Sequence, residues 1–476
     1  MLLLPFGIAS AIRDFLPSSC GPPTASNNLF VKTPSMLLQL ICGFLILIRG
    51  ERVSGAITFN TSAGIYNSSQ TPSSFPWNTY NYCNAPHVNA DHYSLPVNAT
   101  KGSELVYMNV MMRHHKRTPD NLYPNENELN PSAGWDCSDF IQENYGGGTA
   151  RVFHEVTIPS WHPFLSQIWN GTCDAGQLTA GGLADAVQHG KDFWALYHTK
   201  LGFLKSVNTK DILMRTSTED RTQQVAGGLL FGMDHTTAGK SFPLVTQPSG
   251  IDSLPPDYSC SKANNIRNAY QSVPAWTDHL EENADLKARL DATLGTAGLD
   301  AWSSWYDHFF DTFTSRTCAG HPLPCNSTGA CVSQADTNQV FAIGDFEYNY
   351  IWNAAQNSTT YTQLTFGVMF AELAMNFKLF QSGGETFKLR FYVGHDGSMI
   401  RLASGLGFGK VAPLRWPALG SEVVMEVWKT SKGEHFVRVL HEGTPVQTLE
   451  WVGIDEFVAL LQSNVPDNLF EQCNSS

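Results

Sequence analysis

The feature that most constrains this chain is the nearly all-apolar run Leu105–Met112, which stops abruptly at charged side chains. Such a run is typical of a strand that is covered on both faces, because a half-exposed strand alternates in polarity. The runs Asp211–Met214 and Phe387–Val393 have the same character, and helical patterns at Ala284–Leu294 and Thr365–Phe380 lie between them. Strands separated by long helical stretches predict an α/β fold with a central, mainly parallel sheet flanked by helices.

The composition of residues 245–338 differs from that of the segments on either side. Residues 245–338 carry clusters of Pro, Cys and Trp with few strand patterns. We interpret them as a mostly helical cap inserted into an α/β domain that comprises residues 57–244 and 339–476. Three C-terminal segments alternate in polarity and predict antiparallel strands that form a hairpin at the sheet edge: Ser421–Trp428, Phe436–Leu440 and Val446–Val452.

Residues 1–56 have the composition of a leader. Their apolar run Met36–Ile48 is shorter than the roughly 20 residues that span a bilayer. It suits the hydrophobic region of a signal peptide that is cleaved after Ala56. Translation from Met36 and a type II membrane anchor are the alternatives.

Cysteines and glycosylation sequons point to the secretory pathway. Of the ten cysteines, all but Cys20 and Cys42 follow the leader, and none forms a C-x-x-C pair, which favours disulfides over zinc. The N-x-[ST] sequons are at Asn60, Asn67, Asn98, Asn170, Asn326, Asn357 and Asn474. We therefore expect a secreted or cell-surface, N-glycosylated protein.

The charge balance limits the ligands. The chain has 30 Lys+Arg and 43 Asp+Glu, for a net charge of −13. An acidic surface repels phosphate backbones, so nucleic acid is excluded as a partner. Any phosphate group must be held by a local cluster of basic side chains.

A cluster of polar side chains follows each of the three strand-like runs, and the first two clusters contain arginines. The segments are Arg113–Pro119, Arg215–Thr222 and Gly394–Gly397. Ligands of open α/β sheets bind beyond the carboxyl ends of the strands, so we expect the three segments to converge on one site. The patterns G-x-x-x-x-G-K-[ST], G-x-S-x-G and H-E-x-x-H are absent from the sequence, which argues against a P-loop enzyme, a serine hydrolase elbow and a zinc protease.

Five segments resemble the motifs of the histidine acid phosphatases, which include fungal acid phosphatases and phytases, and they occur in the family's order. They are Arg113-His114-x-x-Arg117-x-Pro119, similar to R-H-G-x-R-x-P; Gln177–Gly182, similar to Q-L-T-x-x-G; the internal arginine motif Arg215–Thr222; the distal pair His395-Asp396; and the C-terminal strands around Arg415–Glu422 and Val437–Leu440.

The resemblance implies a phosphoglycerate-mutase-like sheet and a role for each residue. His114 is expected to attack phosphorus, with Asp396 as the proton donor to the leaving group. The residues expected to bind the phosphoryl oxygens are Arg113, Arg117, Arg215 and His395. No metal or other cofactor is implied.

The function implied is that of a secreted, broad-specificity acid phosphatase, which hydrolyses phosphate monoesters through a phosphohistidine intermediate. A phytase and a catalytically weak, phosphate-binding pseudoenzyme are the alternatives. One departure from the family is His115, which replaces the Gly after the nucleophile, and Lys116 adds charge next to it. We interpret Arg221 as paired with Glu219 and Asp220, and Asp345 as a solvated charge.

Overall fold

The computed structural model describes residues 76–124, 126, 135, 137, 142–144, 151–153, 159, 161–163 and 171–474. The predicted leader, its cleavage site and the sequons at Asn60, Asn67 and Asn170 lie outside these residues. Within the described ranges, no helix combines the length and the apolar character needed to cross a membrane.

The strands belong to one large mixed sheet and a separate hairpin. They are β1 (Glu104–Arg113), β2 (Gln142–Asn144), β3 (Arg151–Phe153), β4 (Ile212–Thr216), β5 (Leu244–Val245), β6 (Leu389–Gly394), β7 (Glu422–Lys429), β8 (His435–His441), β9 (Thr444–Pro445) and β10 (Val452–Gly453). The large sheet has the order β10-β8-β7-β1-β6-β4-β5, with β9 on β8, and β2 pairs with β3.

The direction of the strands agrees with the predicted α/β architecture. Strands β1, β6, β4 and β5 are parallel neighbours, whereas β7 and β8 extend the sheet in antiparallel fashion beside β1. The carboxyl ends of β1, β4 and β6 therefore meet at the same edge of the sheet.

Helices connect and cover the strands. They are α1 (Ala180–Trp194), α2 (Asp220–Met233), α3 (Ser261–Tyr270), α4 (Pro274–Glu282), α5 (Ala284–Leu294), α6 (Asp307–Ala319), α7 (Gln334–Asn349), α8 (Ser358–Gln381), α9 (Asp396–Gly405), α10 (Ile454–Gln462) and α11 (Leu469–Asn474). The stretches Ala195–Lys200 and Tyr350–Ala354 are π-helical, and 3₁₀ turns lie at His235–Thr237, Asp300–Trp302, Phe408–Lys410 and Gln447–Leu449.

The apolar character of β1 follows from its place in the middle of the sheet. Tyr107 and Met111 pack into one buried cluster with side chains of α5, α6 and α8. Met108, Val110 and Met112 pack into a second cluster, on the opposite face, with side chains of α1 and α2. Both faces of the strand are thus removed from water, which confirms the reading of the unbroken apolar run.

One strand prediction is wrong. The segment Val446–Val452 contains the 3₁₀ turn Gln447–Leu449, and only Val452 belongs to a strand, β10. The segment pairs with β8 only at its end, so the ladder that would make it a strand does not form. Thr365–Phe380 lies inside the longer helix α8.

The described chain has four disulfides: Cys83–Cys318 and Cys260–Cys473 join distant parts of the chain, whereas Cys137–Cys173 and Cys325–Cys331 close shorter loops. All cysteines beyond the leader are therefore paired, as expected. Helices α3–α6 lie within residues 245–338. Their buried side chains belong to the same cluster as those of β1, and the inserted cap stays a prediction.

Candidate active site

The three polar segments do converge. Arg113 at the end of β1 lies opposite Gly394 of β6, and Thr216 of β4 lies opposite Val393. Beyond these strand ends is a cleft of about 290 Å³. Four of the predicted site residues line it: His114, Arg117, His395 and Asp396.

His114 is held in one orientation by the chain next to it. Its side chain is 1% exposed, and its Nδ1 lies 2.8 Å from the carbonyl oxygen of His115. A carbonyl only accepts, so Nδ1 carries the proton of the neutral ring and Nε2 keeps its lone pair. Among the described residues none hydrogen-bonds to that Nε2, and His114 lines the cleft.

The surroundings keep the His114 ring neutral. Burial lowers the pKa of His114 well below its usual range, and the nearby positive charges of Arg221, Arg113 and Arg117 lower the pKa further. Both causes disfavour the imidazolium form. The neutral form of the ring is therefore favoured to lower pH than in a free histidine.

Asp396 is the first residue of α9 and is 22% exposed. Its Oδ2 accepts a hydrogen bond of 2.8 Å from the indole Nε1 of Trp416 and lies 3.1 Å from Nη2 of Arg113. Burial alone would raise the pKa of Asp396. The charges of Arg113 and Arg117 and the indole N–H outweigh burial and hold the pKa below its ordinary value.

The two arginines of the first motif occupy different places. Arg117 lines the cleft, with its guanidinium 2.6 Å from Asp120 and 3.0 Å from Asp311 of α6. Arg113 lies directly behind the cleft at 1% exposure, where it contacts Asp396 and donates to the hydroxyl of Tyr82 at 2.9 Å. Arg113 does not line the cleft, so the expectation that it binds a phosphoryl oxygen does not fit this geometry.

His395 packs against the nucleophile candidate. Its ring centroid lies 5.5 Å from that of His114 in an edge-to-face arrangement, and its Nε2 lies 2.9 Å from Oγ of Ser217. Burial and the charge of Arg221 lower the pKa of His395 to about 3. A neutral His395 suits a hydrogen bond to a phosphoryl oxygen.

Arg215 is not in the cleft. It is buried within β4, where Nη2 lies 2.7 Å from Asp252 and Nη1 pairs with Glu372 of α8. Two carboxylates already occupy its guanidinium, and it does not line the cleft. The expectation that Arg215 holds phosphate does not fit this geometry.

Arg221, which the sequence reading assigned to local ion pairs, lies in the cleft instead. It follows the first residue of α2 and is 15% exposed. It does contact Glu219 at 3.1 Å, and it also lines the cleft beside His114 and Arg117. The position of each arginine in the sequence could have indicated this difference. Arg215 still belongs to strand β4, whereas Arg221 lies in the first turn of helix α2, beyond the strand end.

His115 and Lys116 turn away from the cleft. His115 is fully buried and meets the ring of His189 edge-to-face at 5.5 Å. Gly420 makes room for it, because a Cβ at Gly420 would come 2.4 Å from the His115 ring. Lys116 forms a buried ion pair of 2.7 Å with Asp185 of α1. Neither side chain crowds or charges the cleft.

Asp345 is also not a solvated charge. It accepts a hydrogen bond of 3.0 Å from the backbone N–H of Trp416. Burial raises the pKa of Asp345 to about 7. Asp345 therefore helps to fix the residue whose indole contacts Asp396.

Within the described ranges, no group of three or more His, Cys, Asp or Glu side chains is arranged to hold a metal ion. The donors that the cleft offers to an anion are arginine, histidine and hydroxyl side chains, and four carboxylates lie among them. Guanidinium groups suit the oxygens of a phosphate group in particular.

Comparison with known proteins agrees with this chemistry. The sequence model of the histidine phosphatase superfamily (branch 2) matches residues 104–442. Counting factor 60 of Dictyostelium discoideum is 26% identical over 415 residues, which cover 83% of this chain and 93% of that protein. Lysosomal acid phosphatase of Bos taurus is 22% identical over 321 residues, which cover 63% and 72% respectively.

Solved structures share the fold. The apo form of Hafnia alvei phytase superposes with a TM-score of 0.53 at 12% identity, over 78% of this chain and 99% of that one. A multiple inositol polyphosphate phosphatase of Bifidobacterium longum superposes with a TM-score of 0.51, over 81% and 98%.

Proposed function

The chain belongs to the histidine phosphatase superfamily (branch 2), and we propose that it hydrolyses phosphate monoesters in acidic solution through a phosphohistidine formed on His114. The observation that carries the proposal is the bond from His114 Nδ1 to the carbonyl of His115. It leaves Nε2 as a nucleophile at the floor of a cleft that also holds Arg117, Arg221 and Asp396.

The reaction has two halves. In the first, Nε2 of His114 bonds to phosphorus as the ester P–O bond breaks on the opposite side, and the departing oxygen takes a proton from Asp396. In the second, water attacks the phosphohistidine, gives a proton to the Asp396 carboxylate and breaks the P–N bond. The products are the alcohol and inorganic phosphate, and both side chains return to their starting states.

The arginines have two effects on this cycle. Arg117 and Arg221 lie where they can hold the phosphoryl oxygens, an electrostatic contribution worth roughly 3–4 kcal/mol for each donor. Their charge also disfavours the protonated Asp396 that the first half needs. A bound phosphate group offsets that charge and raises the pKa of Asp396. We therefore expect turnover of alkyl esters to be greatest in acidic solution.

The place of action proposed is the secretory pathway or the cell surface. Four disulfides within the described residues support an oxidising compartment. The sequon residues Asn98, Asn357 and Asn474 are exposed and Asn326 is half-buried, so a glycosyl transferase could reach them. Metal-independent hydrolysis with broad specificity is part of the same proposal.

The test compares two leaving groups. Asp396→Asn removes the proton donor, so hydrolysis of an alkyl ester such as glycerol 2-phosphate should fall by about 10²–10⁴-fold. Hydrolysis of p-nitrophenyl phosphate, whose leaving group needs little protonation, should fall far less. The readout is kcat/KM for both esters.

Asp345→Asn is the matched control, because it also removes a carboxyl that contacts Trp416. It should change the two esters by the same factor. Equal losses on both esters in Asp396→Asn would remove Asp396 from the role of acid.

A further inference from the structure

We propose that the cleft selects phosphate monoesters whose alcohol is positively charged or neutral, and that it discriminates against anionic and polyphosphorylated substrates through Asp257 and its acidic neighbours. The proposal rests on the phosphatase function above and deepens it, since it assigns the substrate class of the same site. The relevant carboxylates line the same cleft as His114 and the two arginines proposed to hold the phosphoryl group.

The first observation is the distribution of charge along the cleft walls. The only cationic side chains that line the cleft, among the described residues, are Arg117 and Arg221. The carboxylates that line it besides Asp396 are Asp120, Glu219 and Asp257. Lys116, which could have added a positive charge, is buried against Asp185 elsewhere.

The second observation is the recess next to the cleft. It has a volume of about 250 Å³ and shares Thr218, Glu219 and Arg221 with the cleft. Asp174 and Asp220 add two exposed carboxylates there. A leaving group that extends from the cleft in this direction meets more negative charge.

The charged side chains of the cleft and the recess also differ in whether they already have an ion-pair partner. Arg117 is held by Asp120 and Asp311, and Arg221 by Glu219, so the two arginines are matched before any ligand arrives. No lysine or arginine of the described chain pairs with Asp174, Asp220 or Asp257. A phosphoryl group bound to the two arginines would leave Asp257, in the cleft, and Asp174 and Asp220, in the recess, as carboxylates without a cationic partner in the part of the chain that the structure describes.

Asp257 lies close enough to other carboxylates for their charges to affect its pKa. Burial raises the pKa of Asp257, and the negative charges of Asp252 and Glu219 raise it further. Asp252 is engaged with Arg215, whereas Asp257 is exposed and lines the cleft together with Asp396 and Gly397. Asp257 is therefore the carboxylate best placed to sense the charge of the leaving group.

The expected effect follows from Coulomb's law. A unit charge about 6 Å from a carboxylate in a water-like environment changes binding by about threefold, and the factor grows as water is excluded. Replacing an anionic leaving group with a cationic one removes a repulsion and adds an attraction. The threefold factor therefore applies twice for each carboxylate. An inositol polyphosphate carries further phosphate groups, for which the described cleft walls supply no cation beyond the two arginines.

The experiment uses three phosphate esters with two-carbon alcohols: phosphoethanolamine (cationic alcohol), 2-hydroxyethyl phosphate (neutral) and phosphoglycolate (anionic). We expect kcat/KM at pH 6 and low salt to fall in that order, with at least about a tenfold span. In 1 M NaCl, where the Debye length is about 3 Å, the span should shrink. Phytate should be a poorer substrate than 2-hydroxyethyl phosphate.

Two variants separate the charge of Asp257 from differences among the alcohols. Asp257→Asn should lower the ratio of kcat/KM for phosphoethanolamine over phosphoglycolate by about threefold to tenfold. Asp257→Lys should lower it further and should improve phytate hydrolysis. Asp91→Asn removes the same charge from an exposed position that does not line the cleft, and should leave the ratio unchanged.

The outcomes distinguish the two proposals. Hydrolysis of all three esters with phosphoglycolate preferred, or an Asp257→Lys ratio equal to that of Asp91→Asn, would overturn the selectivity and leave the phosphatase function standing. No hydrolysis of any ester, p-nitrophenyl phosphate included, would overturn the phosphatase function itself.

Discussion

Two carboxyls, the partly exposed Asp396 and the fully buried Glu422, have pKa values shifted in opposite directions. On the cleft side, Arg113 and Arg117 outweigh burial and lower the pKa of Asp396. On the core side, burial raises the pKa of Glu422 to about 7, and the opposing charges of His87 and His441 do not outweigh it. The same residue class is thus ionised on one side and close to neutral on the other.

The adjacent histidines repeat this contrast. Burial lowers the pKa of both His114 and His115. His114 has Nδ1 fixed by a carbonyl and arginines around it, whereas neither ring nitrogen of His115 has a hydrogen-bond partner among the described residues. Burial alone therefore does not make a histidine reactive; the groups that fix its tautomer and face its second nitrogen decide its role.

The largest expected effect is on catalytic activity, and it tests the contrast between His114 and His115. His114→Ala should lower kcat/KM for p-nitrophenyl phosphate by on the order of 10⁴-fold or more, since the nucleophile is lost. His115→Ala keeps the backbone carbonyl that holds His114 and should retain most activity. Because it leaves a cavity in the core, it should lower the free energy of unfolding by about 1–3 kcal/mol.

The measurements are kcat/KM and urea unfolding for both variants. His115→Gly, which restores the family residue, should behave like His115→Ala, because the His115 side chain does not reach the cleft. A loss of activity in His115→Ala as large as that in His114→Ala would contradict the assignment.

The second largest effect tests whether Arg221 or Arg215, which belong to the same motif, binds the phosphoryl group. Arg221→Ala should lower kcat/KM by about 10²–10³-fold with little change in stability, since it removes a donor to the phosphoryl group. Arg215→Ala leaves Asp252 and Glu372 without their partner and should cost about 3–5 kcal/mol of stability. Activity per folded molecule and the urea midpoint distinguish the two variants. A large loss of activity in Arg215→Ala, with only a loss of stability in Arg221→Ala, would indicate that Arg215 binds phosphate.

The smallest effect concerns the acid. The Trp416 indole is stacked between Phe310 at 3.9 Å and Tyr348 at 4.0 Å, so Trp416→Phe should keep the stacking and remove only the N–H to Asp396. Loss of that donor raises the pKa of Asp396. Protonated Asp396 then persists to higher pH, and the alkaline limb of kcat for an alkyl ester should move upward by up to about one pH unit. A downward shift would contradict this role of Trp416.

Much of the fold was predictable because the sheet centre leaves a strong pattern. An unbroken apolar run such as that of β1 has few other stable placements, and Ala284–Leu294 matches α5 at both ends. Val446–Val452 was predicted wrongly because a polarity pattern does not show whether a segment has a partner strand along its whole length. This segment has one only at its end.

The site was predictable to the level of motifs but not of side-chain direction. The sequence locates His114 and Asp396 at strand ends, yet it does not tell which arginine of Arg215–Thr222 points outward. That depends on Glu372, which lies far along the chain and occupies Arg215. For the same reason the sequence does not show that Lys116 points away from the cleft, since its partner Asp185 comes close only when α1 packs against the loop that contains Lys116.

The central claim is that the phosphoryl group passes through His114, and trapping this intermediate tests it most directly. Rapid denaturation without acid, during turnover of a radiolabelled phosphate monoester, should leave label on the protein. The label should be acid-labile and base-stable, as a phosphoramidate is, and should map to the peptide that contains His114. It should persist in His115→Ala and disappear in His114→Ala. Turnover with no label under these conditions, or label that survives in His114→Ala, would contradict the account.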